Sequence, residues 1–218
     1  LPAGALAAAA RLEGVAWLEP VYPRTLQNDV ARRTMGVHTA WSRVSNLYGS
    51  GQIVAVADTG LDSGNAGTLS TDFAGRLAGA YAWGPSGTWA DRDAHGTHVA
   101  GSVLGSGALS GSNPATHSYT TGFAGVAPEA RLFVQGFDVD TGGELLGIPA
   151  DLNLLFQRGH TAGARIHTNS WGGPTGEEPN PYGGYDAQAR QADQFAWEHK
   201  DAAILFAAGN SGVDADAS

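Results

Sequence analysis

Cysteine is absent from this chain, and methionine occurs once, at Met35. Disulfide stapling and thiolate chemistry are thereby excluded, and cysteine usage carries no record of redox compartment. Positive charge is scarce. The 12 Lys and Arg stand against 21 Asp and Glu, a net charge of −9, and no local basic cluster offsets it, which argues against nucleic acid and anionic membranes as partners. Long apolar runs are missing too. Residues 1–12 are small and apolar but too short to span a bilayer, and they lack the basic flank of a full signal peptide. They read either as the remainder of a processed N-terminus or as a frayed Ala-rich helix. No internal repeat or Gly-X-Y period occurs. The 32 glycines therefore point to tight turns and close backbone approaches.

A length of 218 residues suits one domain with a large core. Four short apolar runs read as buried strands: 53–57, 131–135, 164–168 and 203–207. Val15–Leu18 is a further strand candidate, ended by Pro20 and Pro23. Helix-like patterns cover 28–48 (around Val30, Met35, Val37 and Trp41), 96–105, 144–159 and 187–200 (with Ala192, Phe195 and Trp197), and Pro149 places a loop or first turn ahead of the third helix proper. Residues 46–51, 62–76, 84–92, 106–122 and 172–186 read as turns and surface loops. Strands separated by helix-length spacers predict an α/β fold, a doubly wound and mostly parallel sheet flanked by helices.

Asp58 ends the most apolar run, where an ionised carboxylate needs hydrogen bonds, so it is a candidate orienting group; an Asx turn with Thr59-Gly60 is the alternative. His95 opens a helix whose Gly96, Thr97, Ala100 and Gly101 permit close packing, and an imidazole held against Asp58 would have its tautomer set for accepting a proton. His98, three residues on, reads as a packed, hydrogen-bonded structural residue, with zinc binding by Asp58, His95 and His98 as the weaker alternative. Asn210 follows a strand through Ala207-Ala-Gly209; its amide suits an oxyanion, or else a turn before Ser211-Gly212.

Asp58-Thr-Gly-Leu-Asp62, His95-Gly-Thr-His-Val-Ala-Gly101 and Ala207-Ala-Gly-Asn-Ser211 together resemble the Asp, His and oxyanion-Asn regions of subtilisin-like serine proteases, in the same order. The likeness runs from about Asn28 to Gly212. Residues 52–60, 159–171 and 204–210 look closest to the oxidatively stable alkaline group, whose members carry a β-sandwich after the catalytic domain. The resemblance implies a secreted endopeptidase acting on protein or peptide substrates, with Asp58 as orienting acid, His95 as general base and acid, and Asn210 as oxyanion donor. It also implies substrate-binding edges at Gly142-Gly143 and at Ser170-Trp171-Gly172, with substrate lying between them as an added strand. Leu12–Val21 resembles the end of a propeptide, so residues 1–27 are expected to be its remnant and 28–218 the first two-thirds of a peptidase domain. Structural calcium is a family habit, and Asp62, Asp138 and Asp140 are loop carboxylates of the right hardness, but their spacing does not assign ligands. No cofactor is implied for the chemistry itself.

The family nucleophile sits in a Gly-Thr-Ser segment well after the Asn, at the start of a buried helix. Only eight residues follow Asn210, and neither Ser211 nor Ser218 has that context. The expectation is a fragment, truncated, nicked or continued by a separately numbered remainder, inactive alone and completed by the chain or segment that carries the serine. A noncatalytic subtilase-derived binding or structural module is the alternative.

Overall fold

The computed structural model describes residues 5–12, 15, 28–44, 47–110, 119–173 and 184–210. Outside them lie the strand expected at 15–18 beyond Val15, most of the 1–27 segment, parts of the 106–122 and 172–186 loops, Ser211 and Ser218. The chain runs α1 (Leu6–Ala9), α2 (Asn28–Thr34), α3 (Val37–Arg43), β1 (Ile53–Asp58), β2 (Leu77–Ala82), α4 (His95–Leu104), β3 (Arg131–Gly136), β4 (Asp138–Val139), β5 (Leu145–Leu146), α5 (Leu152–Thr161), β6 (Ile166–Asn169), α6 (Ala187–Glu198) and β7 (Ala203–Phe206). Among the described residues no helix is long and apolar enough to cross a membrane.

Five strands form one sheet in the order β2-β3-β1-β6-β7, and every pairing in it is parallel. From β1 the chain passes to β2 at one edge and returns to insert β3 between the two, then crosses over to add β6 and β7 on the other side of β1. The switch in direction therefore falls at β1, and crevices at such points, beyond the carboxyl ends of the strands, are where open α/β sheets bind ligands. Asp58, the last residue of β1, sits at that edge, level with Gly136 of β3.

The alternation of side chains along β1 divides the core. Val54 and Val56 join Leu132 and Val134 of β3 beneath Ala100 and Leu104 of α4. On the opposite face Ala57 meets Leu152, Leu155 and Phe156 of α5 and Phe195 of α6. Each fully buried Val, Leu or Phe here contributes about 1.5–3 kcal/mol. Small residues set the approach of α5: a methyl on Gly159 would lie 3.0 Å from the Ala55 Cβ. Among the described residues the cover on the α4 side stops at β1. Ile166 of β6 and Leu205 of edge strand β7 remain 38% and 48% exposed there, in register with Val54 and Val56 respectively through the ladder.

The observed elements correct several expectations. The helix read over 28–48 is two helices, because Gly36 takes a left-handed φ of 73° between them; Val30 and Met35 stay exposed while Val37 and Trp41 are buried. Leu145 and Leu146 form β5, a hairpin partner of β4, and not the start of a helix at 144. The helix begins at Leu152, where the Asp151 carboxylate accepts the Asn153 N–H at 3.0 Å, in keeping with Pro149 ahead of it. Trp197 is 75% exposed on α6, with the Lys200 ammonium 3.6 Å from its ring centroid. Strand β2 escaped sequence reading: Leu-Ala-Gly-Ala-Tyr-Ala has no β-branched residue and occupies a half-buried edge.

Candidate active site

The turn that leaves β1 and the first turn of α4 are in direct backbone contact. A Cβ on Gly96 would lie 2.4 Å from the Gly60 carbonyl oxygen, and one on Gly60, at φ 122°, would lie 2.7 Å from the Trp89 carbonyl oxygen. Only glycine permits both approaches, and they bring the first residue of α4 to the end of β1.

His95 Nδ1 lies 2.7 Å from Asp58 Oδ1, with the His95 side chain half exposed and Asp58 3% exposed. The same carboxylate oxygen accepts the Thr59 N–H at 2.8 Å, while Oδ2 is buried without a hydrogen-bond partner. Burial pushes the Asp58 carboxyl up, opposed by the hydrogen bonds from His95 and Thr59. The bond to Asp58 pushes the His95 imidazole up; desolvation opposes it, and the charges of Asp58, Asp93 and Asp91 add to the rise. A carboxylate that holds Nδ1–H leaves Nε2 as the basic nitrogen on the open side of the ring, the arrangement of a general base with its orienting acid. Among the described residues no hydroxyl is hydrogen bonded to Nε2.

His98 does not join this pair. It is exposed and lines a cavity of about 1030 Å³ between α2 and α4 that His95 does not line, so neither a packed structural role nor zinc binding with Asp58 and His95 describes it. Among the described residues no group of three His, Cys, Asp or Glu is placed to hold a metal. The three loop carboxylates considered for calcium are not gathered into a site and are engaged in separate turns. Asp62 accepts the Ser70 N–H, Asp138 accepts from Ser86, and Asp140 accepts the Gly142 and Glu144 N–H groups.

The remaining sequence candidates lie along the same sheet edge. Asn210 is exposed and follows Gly209, at φ 87°, three residues after the Ala207 N–H bonds the Asn169 carbonyl. Gly142 and Gly143 occupy the turn of the β4–β5 hairpin, Gly143 at φ 87°, and that hairpin leaves β3 on one side of β1. Ser170, Trp171 and Gly172 leave β6 on the other side. The Trp171 indole donates to the Ala57 carbonyl at 3.0 Å and packs edge-on against Phe137 and Phe206, so its ring is an anchor for this segment.

Sequence reading missed Asp91. Its Oδ1 accepts the Thr59 hydroxyl at 2.9 Å, the Ala94 N–H at 2.8 Å and the Asp93 N–H at 3.1 Å. Its Oδ2 accepts both the N–H and the hydroxyl of Thr97. Burial would push the Asp91 carboxyl up, but the bonds from Thr97, Thr59 and Ala94 hold it below the usual carboxylate range. Local sequence carried no capping signal for it, because the residue directly before α4 is Ala94 and Asp91 reaches the Thr97 N–H from outside the cap position.

Comparison with known proteins follows the geometry. The chain is 33% identical over 174 residues to the serine protease/ABC transporter B family protein tagD of Dictyostelium discoideum, and 31% identical over 179 residues to tagB. Each match covers 76% of this chain, which spans only 9% of either relative's length. In fold it is similar to the Clostridium perfringens CspB protease, at a TM-score of 0.60, 18% identity and coverage of 84% of this chain and 41% of that one. It is also similar to fervidolysin from Fervidobacterium pennivorans, described as a keratinolytic enzyme related to subtilisin, at a TM-score of 0.52, 24% identity and coverage of 79% and 23%. Residues 49–218 match the subtilase family model, Peptidase_S8, and with that share of its length matched the chain belongs to the subtilase family.

Proposed function

We propose that the complete protein is a serine endopeptidase in which Asp58 orients His95, His95 moves the protons and Asn210 donates to the oxyanion. The observation that carries this is the 2.7 Å bond from the His95 ring to a buried carboxylate at the switch point of the sheet. In this reading Nε2 accepts the proton of a serine hydroxyl as its oxygen attacks the peptide carbonyl, and Asp58 stays ionised and stabilises the imidazolium. The Asn210 amide donates to the tetrahedral oxyanion, His95 returns the proton to the leaving amine, and water then hydrolyses the acyl-enzyme by the reverse sequence. Substrate lies as an added strand between the 142–143 turn and the 170–172 segment, which leave the strands on either side of β1.

The serine belongs, on this proposal, to a segment outside the described residues, in the same polypeptide or a further one. The open face over Ile166 and Leu205 offers that segment apolar surface to cover. Residues 1–27 are read as the end of a propeptide, the protein as secreted, and its nearest kin as the oxidatively stable alkaline subtilases that residues 52–60, 159–171 and 204–210 resemble. Structural calcium, with no ligands assigned, stays part of the proposal; Asp62, Asp138 and Asp140 sit in separate turns.

The test is fluorophosphonate labelling and peptide hydrolysis by the full protein that contains this chain, beside its His95→Ala variant. Turnover is expected to fall by roughly four to six orders of magnitude in the variant, and near-normal turnover would reject the assignment. Stoichiometric labelling of a species with the mass of residues 1–218 alone would overturn an external serine. The second reading, a noncatalytic module, is favoured by the lack of a hydroxyl on Nε2 among the described residues. It predicts no labelling even with a Gly-Thr-Ser segment present.

A further inference from the structure

We propose that Asp91 is a positioning residue, clamping the turn after β1 to the first turn of α4 so that His95 is held against Asp58. The donor and acceptor senses in the clamp are forced. The Gly96 N–H donates to Thr59 Oγ1 at 2.8 Å, so the single hydroxyl proton of Thr59 is free to go to Asp91 Oδ1. The Asp62 N–H donates to Thr97 Oγ1 at 2.8 Å, so the Thr97 hydroxyl proton goes to Asp91 Oδ2. With the N–H groups of Asp93, Ala94 and Thr97 added, five donors converge on one side chain. Only a carboxylate accepts on both oxygens. An Asn at this position would turn its NH2 toward donors in either flip, toward Thr97 one way and toward Thr59 and Ala94 the other.

The clamp also holds strained backbone. Ala94, immediately before His95, sits at φ 80°, a left-handed conformation that non-glycine residues rarely adopt, and its N–H is one of the five donors. Thr59 and Gly96 are the chain neighbours of Asp58 and His95. A bond linking Thr59, Gly96 and Asp91 therefore fixes the separation of the reacting pair without touching substrate. The clamp is a statement about geometry, and its value for turnover rests on the hydrolase reading above.

The test combines ring NMR of His95 in this chain with kinetics in the full protein. Charges acting on His95 come from Asp58 on β1 and from Asp91 and Asp93 on the loop before α4. In Asp91→Asn the Nδ1 proton signal of His95 is expected to weaken or move upfield, and its titration to move to lower pH. Thr59→Val keeps the Asp91 charge and removes the link, so it should weaken the Nδ1 signal as well, and Thr59→Ser should restore it. Wild-type Nδ1 signal and titration in folded Asp91→Asn, or a wild-type Nδ1 signal in Thr59→Val, would overturn the clamp. If Asp91→Asn fails to fold by thermal melting, the Val and Ser pair decides alone. In the full protein kcat should drop roughly 10- to 100-fold with KM within about twofold. A fall in kcat with unchanged NMR overturns the positioning role. Altered NMR in a protein whose wild type hydrolyses nothing supports the clamp and counts against the hydrolase reading.

Discussion

Two glycines on one helix should answer the same substitution in opposite ways. Gly96 and Gly101 both belong to α4, and replacing an interior helical glycine by alanine is worth up to about 1 kcal/mol in favour of folding. At Gly101 the added methyl meets nothing nearer than the Phe73 ring tip at 4.0 Å, so the variant should be stabilised by roughly 0.5–1 kcal/mol. At Gly96 the methyl would lie 2.4 Å from the Gly60 carbonyl oxygen, 2.9 Å from the Gly60 nitrogen and 3.1 Å from the Thr59 nitrogen. All three are backbone atoms of the turn that carries Asp58, and none can swing aside. Overpacking costs about 1–3 kcal/mol, and a rigid neighbour puts this site at the upper end, so the net loss after the helical gain is about 2 kcal/mol. For a chain of this size that is a fall in Tm of roughly 4–8 °C. Urea unfolding followed by tryptophan fluorescence measures both variants on one scale, and the His95 Nδ1 proton signal reports whether α4 has moved from β1. Gly96→Ala as stable as Gly101→Ala, with an unchanged His95 signal, would refute the close approach.

Three other outcomes are expected. The Trp83 indole, a donor only, bonds Gln135 Oε1 at 2.8 Å, so the Gln135 amide must donate to His167 Nε2 and hold that ring neutral, and burial lowers its pKa to about 4. Because the folded value is depressed, stability is complete above pH 6.5 and is lost as pH falls toward 4; about 3 kcal/mol should disappear across that window in pH-dependent urea melts, and a flat profile would contradict it. If the proposed hydrolase reading holds, the raised His95 pKa puts the acid limb of kcat/KM above the ordinary histidine value of 6.5, while any stability from the Asp58 pair is present below 6.5 and lost as pH rises through the folded pKa; a limb at ordinary histidine pH would count against an intact pair. On the proposed hydrolase reading, Asn210→Ala should lower kcat by roughly 100- to 1000-fold with little change in KM, the loss typical of one oxyanion donor, and an effect on KM alone would reassign Asn210 to binding.

Asp58, His95 and the parallel strands were legible because each is a local signal. A run such as Ile53-Val-Ala-Val-Ala57 has few fates other than a strand covered on both faces, and a carboxylate at its end requires a partner. The signal failed where a segment's fate depends on a neighbour distant in sequence. Leu145 and Leu146 fit a helical pattern, yet they pair with β4, and the small residues of β2 become a strand only because β3 offers an edge. His98 shares a motif with His95 but lines a cavity that His95 does not, and which surface each histidine meets is set by the elements packed around α4.

The sequence alone therefore determined the α/β class, the acidic cysteine-free composition, the subtilase resemblance and the pairing of an Asp with a His, all of which follow from residue type and spacing. Tertiary structure decided the rest. It placed Asp58 at the switch point of the sheet, left Ile166 of β6 and Leu205 of β7 partly exposed, and made Asp91 the acceptor for five donors from residues 59–97. Those outcomes depend on which backbone segments can approach one another, and glycines 60 and 96 set that distance only once the chain has folded.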